Sequence, residues 1–98
     1  MDADLVSQAL VVFTGKGLSP FPVRNVDRFA GHFGALTAAD LAAEVQRLHD
    51  EFYKVEPRAD ESLVVAADRA TAVFVARHPE LTSDAVDALR WCYTYDWK

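Results

Sequence analysis

One cysteine and three histidines are the side chains of this chain that could support nucleophilic catalysis. Cys92 would need a base beside its thiol, and His32, His49 and His78 are the candidates. Nothing close to Cys92 in the sequence would activate a thiolate, and two aromatic neighbours are typical of a buried cysteine that acts as a small hydrophobe. We therefore expect no catalytic residue, with a thiol-based or small-molecule site around Cys92 as an alternative.

The sequence contains no residue pattern typical of a metal or cofactor site. The cysteine and histidines have no zinc-finger spacing, and no glutamate stands three residues before a histidine, as the metal sites of helical bundles require. No glycine-rich phosphate loop or nucleophile elbow is present either. The sequence predicts no metal, no cofactor and no enzymatic activity.

A possible anion site lies in the first third of the chain. Arg24, Arg28 and His32 are spaced four residues apart, so they would form a positive strip if a helix starts early enough. Asp27 beside them weakens the field. The alternative is an ordinary solvated helix face.

An acidic corner is expected around the turn at Pro57. Glu56, Asp60 and Glu61 lie close together in the sequence, and Arg58 offsets them only in part. Such a cluster would attract a basic protein partner, although a solvated corner between helices needs no such role.

The end of the chain carries aromatic residues at every second position. Trp91, Tyr93, Tyr95 and Trp97 alternate with smaller or polar residues, which by itself is typical of a strand. The residues before them favour a helix, which would divide the rings between two sides. One side would be the core stripe, formed by Val86, Leu89, Tyr93 and Trp97.

Trp91 and Tyr95 would then lie on the opposite side of that helix. Either their own domain covers them, with Phe21 and Val23 supplied by the proline-containing connector of residues 18–24, or they form an exposed patch of the kind enriched at protein interfaces. We predict that Trp91 and Tyr95, together with the acidic corner, contact a partner.

Five helices would position these side chains. Apolar periodicity and capping residues predict helices over about residues 3–14, 38–55, 60–77 and 84–96. A shorter helix should run from a cap at Asn25 to Gly34. Val11 to Phe13 leave a strand as the alternative within the first helix, and Thr37 and Asp60 are the expected caps of the third and fourth.

The helix over about residues 60–77 should be the central one. Its valines and alanines lie on most of its sides, which is typical of a buried helix. We therefore expect an all-α compact bundle of four to five helices, with residues 1–98 forming a single domain.

Composition limits the classes of partner. The 98 residues have a net charge of −5, all of it contributed by residues 36–98. This balance disfavours nucleic acid, whose binding depends on cationic contacts with phosphate. No apolar run is long enough for a membrane span, and a single cysteine suits a reducing compartment. We expect a cytoplasmic protein that binds neither membranes nor nucleic acid.

These features together favour a small acidic, non-enzymatic protein-binding module, such as an inhibitor or regulatory protein. Immunity proteins and antitoxins share its size, acidity and helical character, but no motif with this chain. Self-association as a homodimer with a structural role is the alternative, with the terminal helices pairing across a two-fold axis.

Overall fold

The fold is built from α-helices. In the computed structural model, which describes residues 2–17, 20–25 and 27–97, the described residues form helices and no extended strand. The predicted all-α bundle is therefore confirmed, and both strand alternatives, at Val11–Phe13 and over 91–97, are wrong. The helices are α1 (Ala3–Thr14), α2 (Arg28–Phe33), α3 (Ala35–Tyr53), α4 (Leu63–Arg77) and α5 (Ser83–Asp96).

The two helices with the clearest capping residues begin and end where the sequence predicts. Asp2 accepts hydrogen bonds from the backbone N–H groups of Asp4 and Leu5, and Gly15 ends α1 in the left-handed region at φ 76°. The Thr82 side chain accepts a hydrogen bond from the backbone N–H of Ala85 at the start of α5.

The other helix starts differ from the predictions. α2 begins at Arg28 rather than after Asn25, and α3 begins directly after Gly34, so that Thr37 lies inside it. At α4 the cap is Ser62, whose hydroxyl accepts a hydrogen bond from Val65 N–H, and not Asp60. The sequence also predicts burial of the apolar residues Leu18 and Val26, and both lie outside the described residues.

α3, not the helix after Pro57, is central in the bundle. α3 contacts each of the other helices, whereas within the described chain α4 contacts α3 and α5 alone. α4 buries a narrow stripe of mainly small side chains, so its larger valines point outward; Val64 is 62% exposed. The central position predicted for residues 60–77 is therefore wrong, because alanines, not valines, occupy its inward positions.

α1 and α5 run side by side in the same direction. Near their starts the Thr82 backbone N–H donates to Ser7 Oγ at 3.0 Å, and near their ends Lys16 and Trp91 line one shallow groove. The described part of the connector, from residue 20 onward, folds back on α1, since Val23 N–H donates to the Thr14 carbonyl oxygen at 3.1 Å. This arrangement brings the connector beside the end of α5.

The core lies between α1, α3, α4 and α5, with Phe29 of α2 added to it. The radius of gyration is 13.3 Å, which is the value typical of a compact domain of this length. Across residues 2–17, 20–25 and 27–97, no helix combines the length and the apolar character that crossing a membrane requires.

Candidate functional site

The terminal aromatic residues differ in how deeply they are buried. Tyr93 is completely buried, and its hydroxyl donates to the Val55 carbonyl oxygen at 2.7 Å. Trp97 is 44% exposed, with its ring centroid 6.3 Å from that of Tyr93. The predicted place of Trp97 in the core stripe is therefore wrong, because Trp97 caps the end of α5, where the helix reaches solvent.

Phe21 and Tyr95 form an exposed stacked pair, which we call the aromatic patch. Their ring centroids are 6.4 Å apart with an interplanar angle of 29°, and the residues are 48% and 42% exposed. The connector thus covers Tyr95 only in part. Apolar rings that remain this accessible are typical of surfaces that contact other proteins.

An ion pair fixes the connector beside this patch. Arg24 of the connector donates two hydrogen bonds to Asp96 of α5, at 2.6 Å and 3.3 Å, and Tyr53 of α3 donates to the same carboxylate at 2.6 Å. Two parallel bonds from one guanidinium restrict orientation as well as distance. The backbone on which Phe21 stands is therefore held to the end of α5.

The electrostatics of this network keep its charges in place. The hydrogen bond to Asp96 raises the already high pKa of Arg24. Burial opposes ionisation of Asp96, but the hydrogen bonds from Arg24 and Tyr53 outweigh it and lower the pKa of that carboxyl group. Burial, followed by the bond to Asp96, raises the pKa of Tyr53. At neutral pH the network therefore contains a charged pair and a neutral phenol.

Trp91 does not share the exposure of Tyr95. It is partly buried and lines a shallow groove of about 250 Å³ with Lys16, Asp87, Arg90 and Thr94. Of the two aromatic residues predicted to contact a partner, only Tyr95 is exposed and belongs to the aromatic patch.

The acidic corner is partly neutralised by a residue of α4. Arg69 donates to both carboxylate oxygens of Glu61, at 2.9 Å and 2.8 Å, and also to the Glu56 carbonyl oxygen. Hydrogen bonds from Arg69, and then from the Arg58 backbone, lower the pKa of Glu61 to about 2. Glu56 and Asp60 remain exposed, so these two carry the accessible charge of this corner.

The acidic corner and the aromatic patch lie on different sides of α5. Tyr93 reaches back to Val55, the residue before Glu56, whereas Tyr95 stacks on Phe21 of the connector. The predicted partner-binding residues are therefore not brought together into one surface.

The predicted positive strip is not gathered on one helix. Arg24 precedes α2 and binds Asp96, and Arg28 donates to the carbonyl oxygens of Val12 and Val23 at 3.1 Å and 2.8 Å. Of the three residues of the strip, only His32 is an exposed residue of α2. α1 has no basic residue in its last turn, so Arg28 supplies the missing donor for its terminal carbonyls.

Cys92 is unsuited to thiol chemistry. It is fully buried, and burial raises the pKa of its thiol to about 11, so the thiolate is scarce at neutral pH. The histidines have other neighbours: His49 stacks on Tyr53, while His78 Nε2 lies 2.6 Å from Glu51. In the part of the chain that the structure describes, no group of three or more metal-ligating side chains could hold a metal ion.

Asp96 and Tyr53 are site residues that the sequence does not reveal. Asp96 meets Arg24 across 72 positions of the chain, and no local pattern links residues at that separation. Tyr53 lies near the end of α3, four residues after His49, and looks like a simple boundary residue. Phe21 is an apolar residue between two prolines. Its need for burial is the sequence feature that indicates a connector docked on the bundle.

Comparison of the chain with known protein families, with curated proteins and with solved structures found no match.

Proposed function

We propose that this protein is a small acidic, non-enzymatic protein-binding module whose contact surface is the aromatic patch. The observation that carries this proposal is the stacked pair Phe21 and Tyr95, each nearly half exposed. Aromatic side chains bury large areas at little cost in conformational entropy, so they supply much of the energy of protein interfaces.

The ion pair beside the patch supports this proposal. Because Arg24 is bonded to Asp96, the backbone next to Phe21 is held at the end of α5 before a partner arrives. A surface ordered in advance loses less conformational entropy on binding, which favours tighter association. The exposed acids Glu56 and Asp60 lie elsewhere and would increase the rate of encounter with a basic partner.

Partner capture by variants of the tagged protein tests this function. Phe21→Ala combined with Tyr95→Ala should abolish capture of proteins that the wild type retains, since both rings of the patch are lost. The control, Leu36→Ala, removes exposed apolar surface from α3 and should leave capture intact. Unchanged capture by the first variant, shown by circular dichroism to remain folded, would remove the main support for the proposal.

Self-association is the second candidate, and the outer face of α4 favours it. Val64, Val65 and Val75 are exposed there, beside the small exposed Ala72 and Ala76, which allow close approach of a second helix. In this version the dimer would form through α4 rather than α5. Sedimentation at high micromolar concentration tests self-association. A wild-type dimer that dissociates in the Val65→Glu variant supports it, and a wild-type monomer excludes it.

A further inference from the structure

A groove of about 540 Å³ lies at the other end of the α1–α5 pair from the aromatic patch. α1 contributes Val11 and Val12, α2 contributes Phe33, and the start of α5 contributes Thr82 and Asp84. This volume falls within the range of sites that hold small ligands or a few side chains. The groove is separate from the patch, since it follows the first part of α5 while Tyr95 lies at its end.

The packing of α1 on α5 explains which side chains meet in this groove. Ser7 Oγ accepts a hydrogen bond from Thr82 N–H, so the start of α5 lies beside the second turn of α1. Asp4 and Asp84 each belong to the first turn of their own helix, where the helix dipole favours a carboxylate. Both acids are exposed and both line the groove.

The lining combines an apolar floor with negative charge. Val12 and Phe33 are partly buried and pack against the core, so they form a firm apolar surface. The lining residues that the structure describes include one histidine, His32, and no lysine or arginine, while Asp4 and Asp84 add two negative charges. Charge and shape therefore match an apolar side chain flanked by cations, and disfavour an anionic ligand.

We infer that this groove binds a basic amphipathic segment of a partner protein. An apolar side chain of the segment lies on Val12 and Phe33, and its lysine or arginine residues face Asp4 and Asp84. The net charge of −5 attracts such a segment from a distance, and the apolar floor supplies the contact energy. This second surface goes beyond the proposed role of the aromatic patch and does not depend on it.

The test is a titration of the full chain with a peptide, in which nuclear magnetic resonance monitors the amide chemical shifts of the protein. The probe is a short amidated helical peptide of leucine and lysine, and the counter-probe has glutamate in place of lysine. Saturable shifts at Val11, Val12 and Phe33 with the lysine peptide, and none with the glutamate peptide, are expected. No saturable shift there, or equal binding of both peptides, overturns the inference.

Charge-matched variants decide whether the two acids are responsible. Asp4→Asn with Asp84→Asn should weaken binding about five-fold, as expected for the loss of two solvent-exposed charge pairs. Asp40→Asn with Asp50→Asn removes the same charge from α3, outside the groove lining, and should have little effect, as should the Phe21→Ala, Tyr95→Ala variant. Equal weakening by both Asp→Asn pairs would mean unspecific attraction and would contradict the site.

A second variant keeps this test valid if the first one is unstable. Gln8 is an exposed lining residue within α1, so Gln8→Lys adds a positive charge to the groove without changing a helix start. It should weaken binding of the lysine peptide, whereas unchanged binding by folded Gln8→Lys contradicts the inference.

Discussion

Tyr93 shows how much one hydroxyl can matter in a small core. Its ring is completely buried, and its hydroxyl donates to the Val55 carbonyl oxygen between α3 and α4. Tyr93→Phe keeps the ring but leaves that acceptor without its donor, which should lower the free energy of unfolding by about 1–2 kcal/mol. Urea denaturation measures this, and an unchanged midpoint would show that the hydrogen bond contributes nothing.

His49 should make the stability of the fold sensitive to mild acid. Its ring stacks on Tyr53 with centroids 4.3 Å apart, and no group among the described residues hydrogen-bonds its buried Nε2. Burial, and to a lesser degree the charge of Arg24, lowers the pKa of His49 below its ordinary 6.5. The unfolded chain therefore takes up this proton at higher pH than the folded one, so acidification favours unfolding.

The His49→Phe variant isolates that effect. Phenylalanine keeps the stacked ring and cannot titrate, so the variant should lose less stability than the wild type between pH 7.5 and pH 5.5, where unfolded histidine becomes protonated at about 6.5. Equal losses of unfolding free energy in the two proteins, measured by urea denaturation, would assign the acid sensitivity to other groups.

At the scale of the helix, Ser62 and Asp60 distinguish the observed start of α4 from the predicted one. Ser62 Oγ accepts a hydrogen bond from Val65 N–H at 3.2 Å, which makes Ser62 the N-cap. Ser62→Ala should cost about 1 kcal/mol of stability, and Asp60→Ala should change it by less than about 0.5 kcal/mol. Thermal unfolding compares them, and a larger loss at Asp60 would restore the start predicted from sequence.

The turn between α3 and α4 depends on the ion pair of Glu61 with Arg69. Because the pKa of Glu61 is lowered from 4.5 to about 2, this carboxylate stabilises the fold above pH 4.5. That contribution is lost as the pH falls towards about 2. Glu61→Gln should therefore flatten the dependence of the unfolding temperature on pH across this window. A variant with the wild-type pH dependence would contradict this role.

Local signals predict the helices well, but not their places in the bundle. Asp2, Gly15 and Thr82 cap α1 and α5, whose bounds agree with the predicted ones because capping involves only a few adjacent residues. The position of α4 in the bundle depends on which helices pack against its alanines. Hydrophobic periodicity cannot identify the buried side of a helix that is apolar on most sides. Its valines therefore look internal in the sequence and are exposed in the fold.

At the scale of the whole molecule, the candidate site arises from contacts between distant parts of the chain. Arg24 and Asp96 are 72 positions apart, yet together they fix the connector to the end of α5. From the sequence, Phe21 is one candidate for covering the ring of Tyr95. How far it does so depends on the path of the connector, which leaves Phe21 48% and Tyr95 42% exposed.

Site-specific photo-crosslinking at the aromatic patch tests the central claim most directly. A benzophenone side chain introduced in place of Tyr95 should form an adduct with one discrete partner protein in cells, while the same group in place of Val64, which is 62% exposed, should not trap that partner. Absence of a heterologous adduct at position 95, or the same adduct at both positions, would contradict a binding function of the patch.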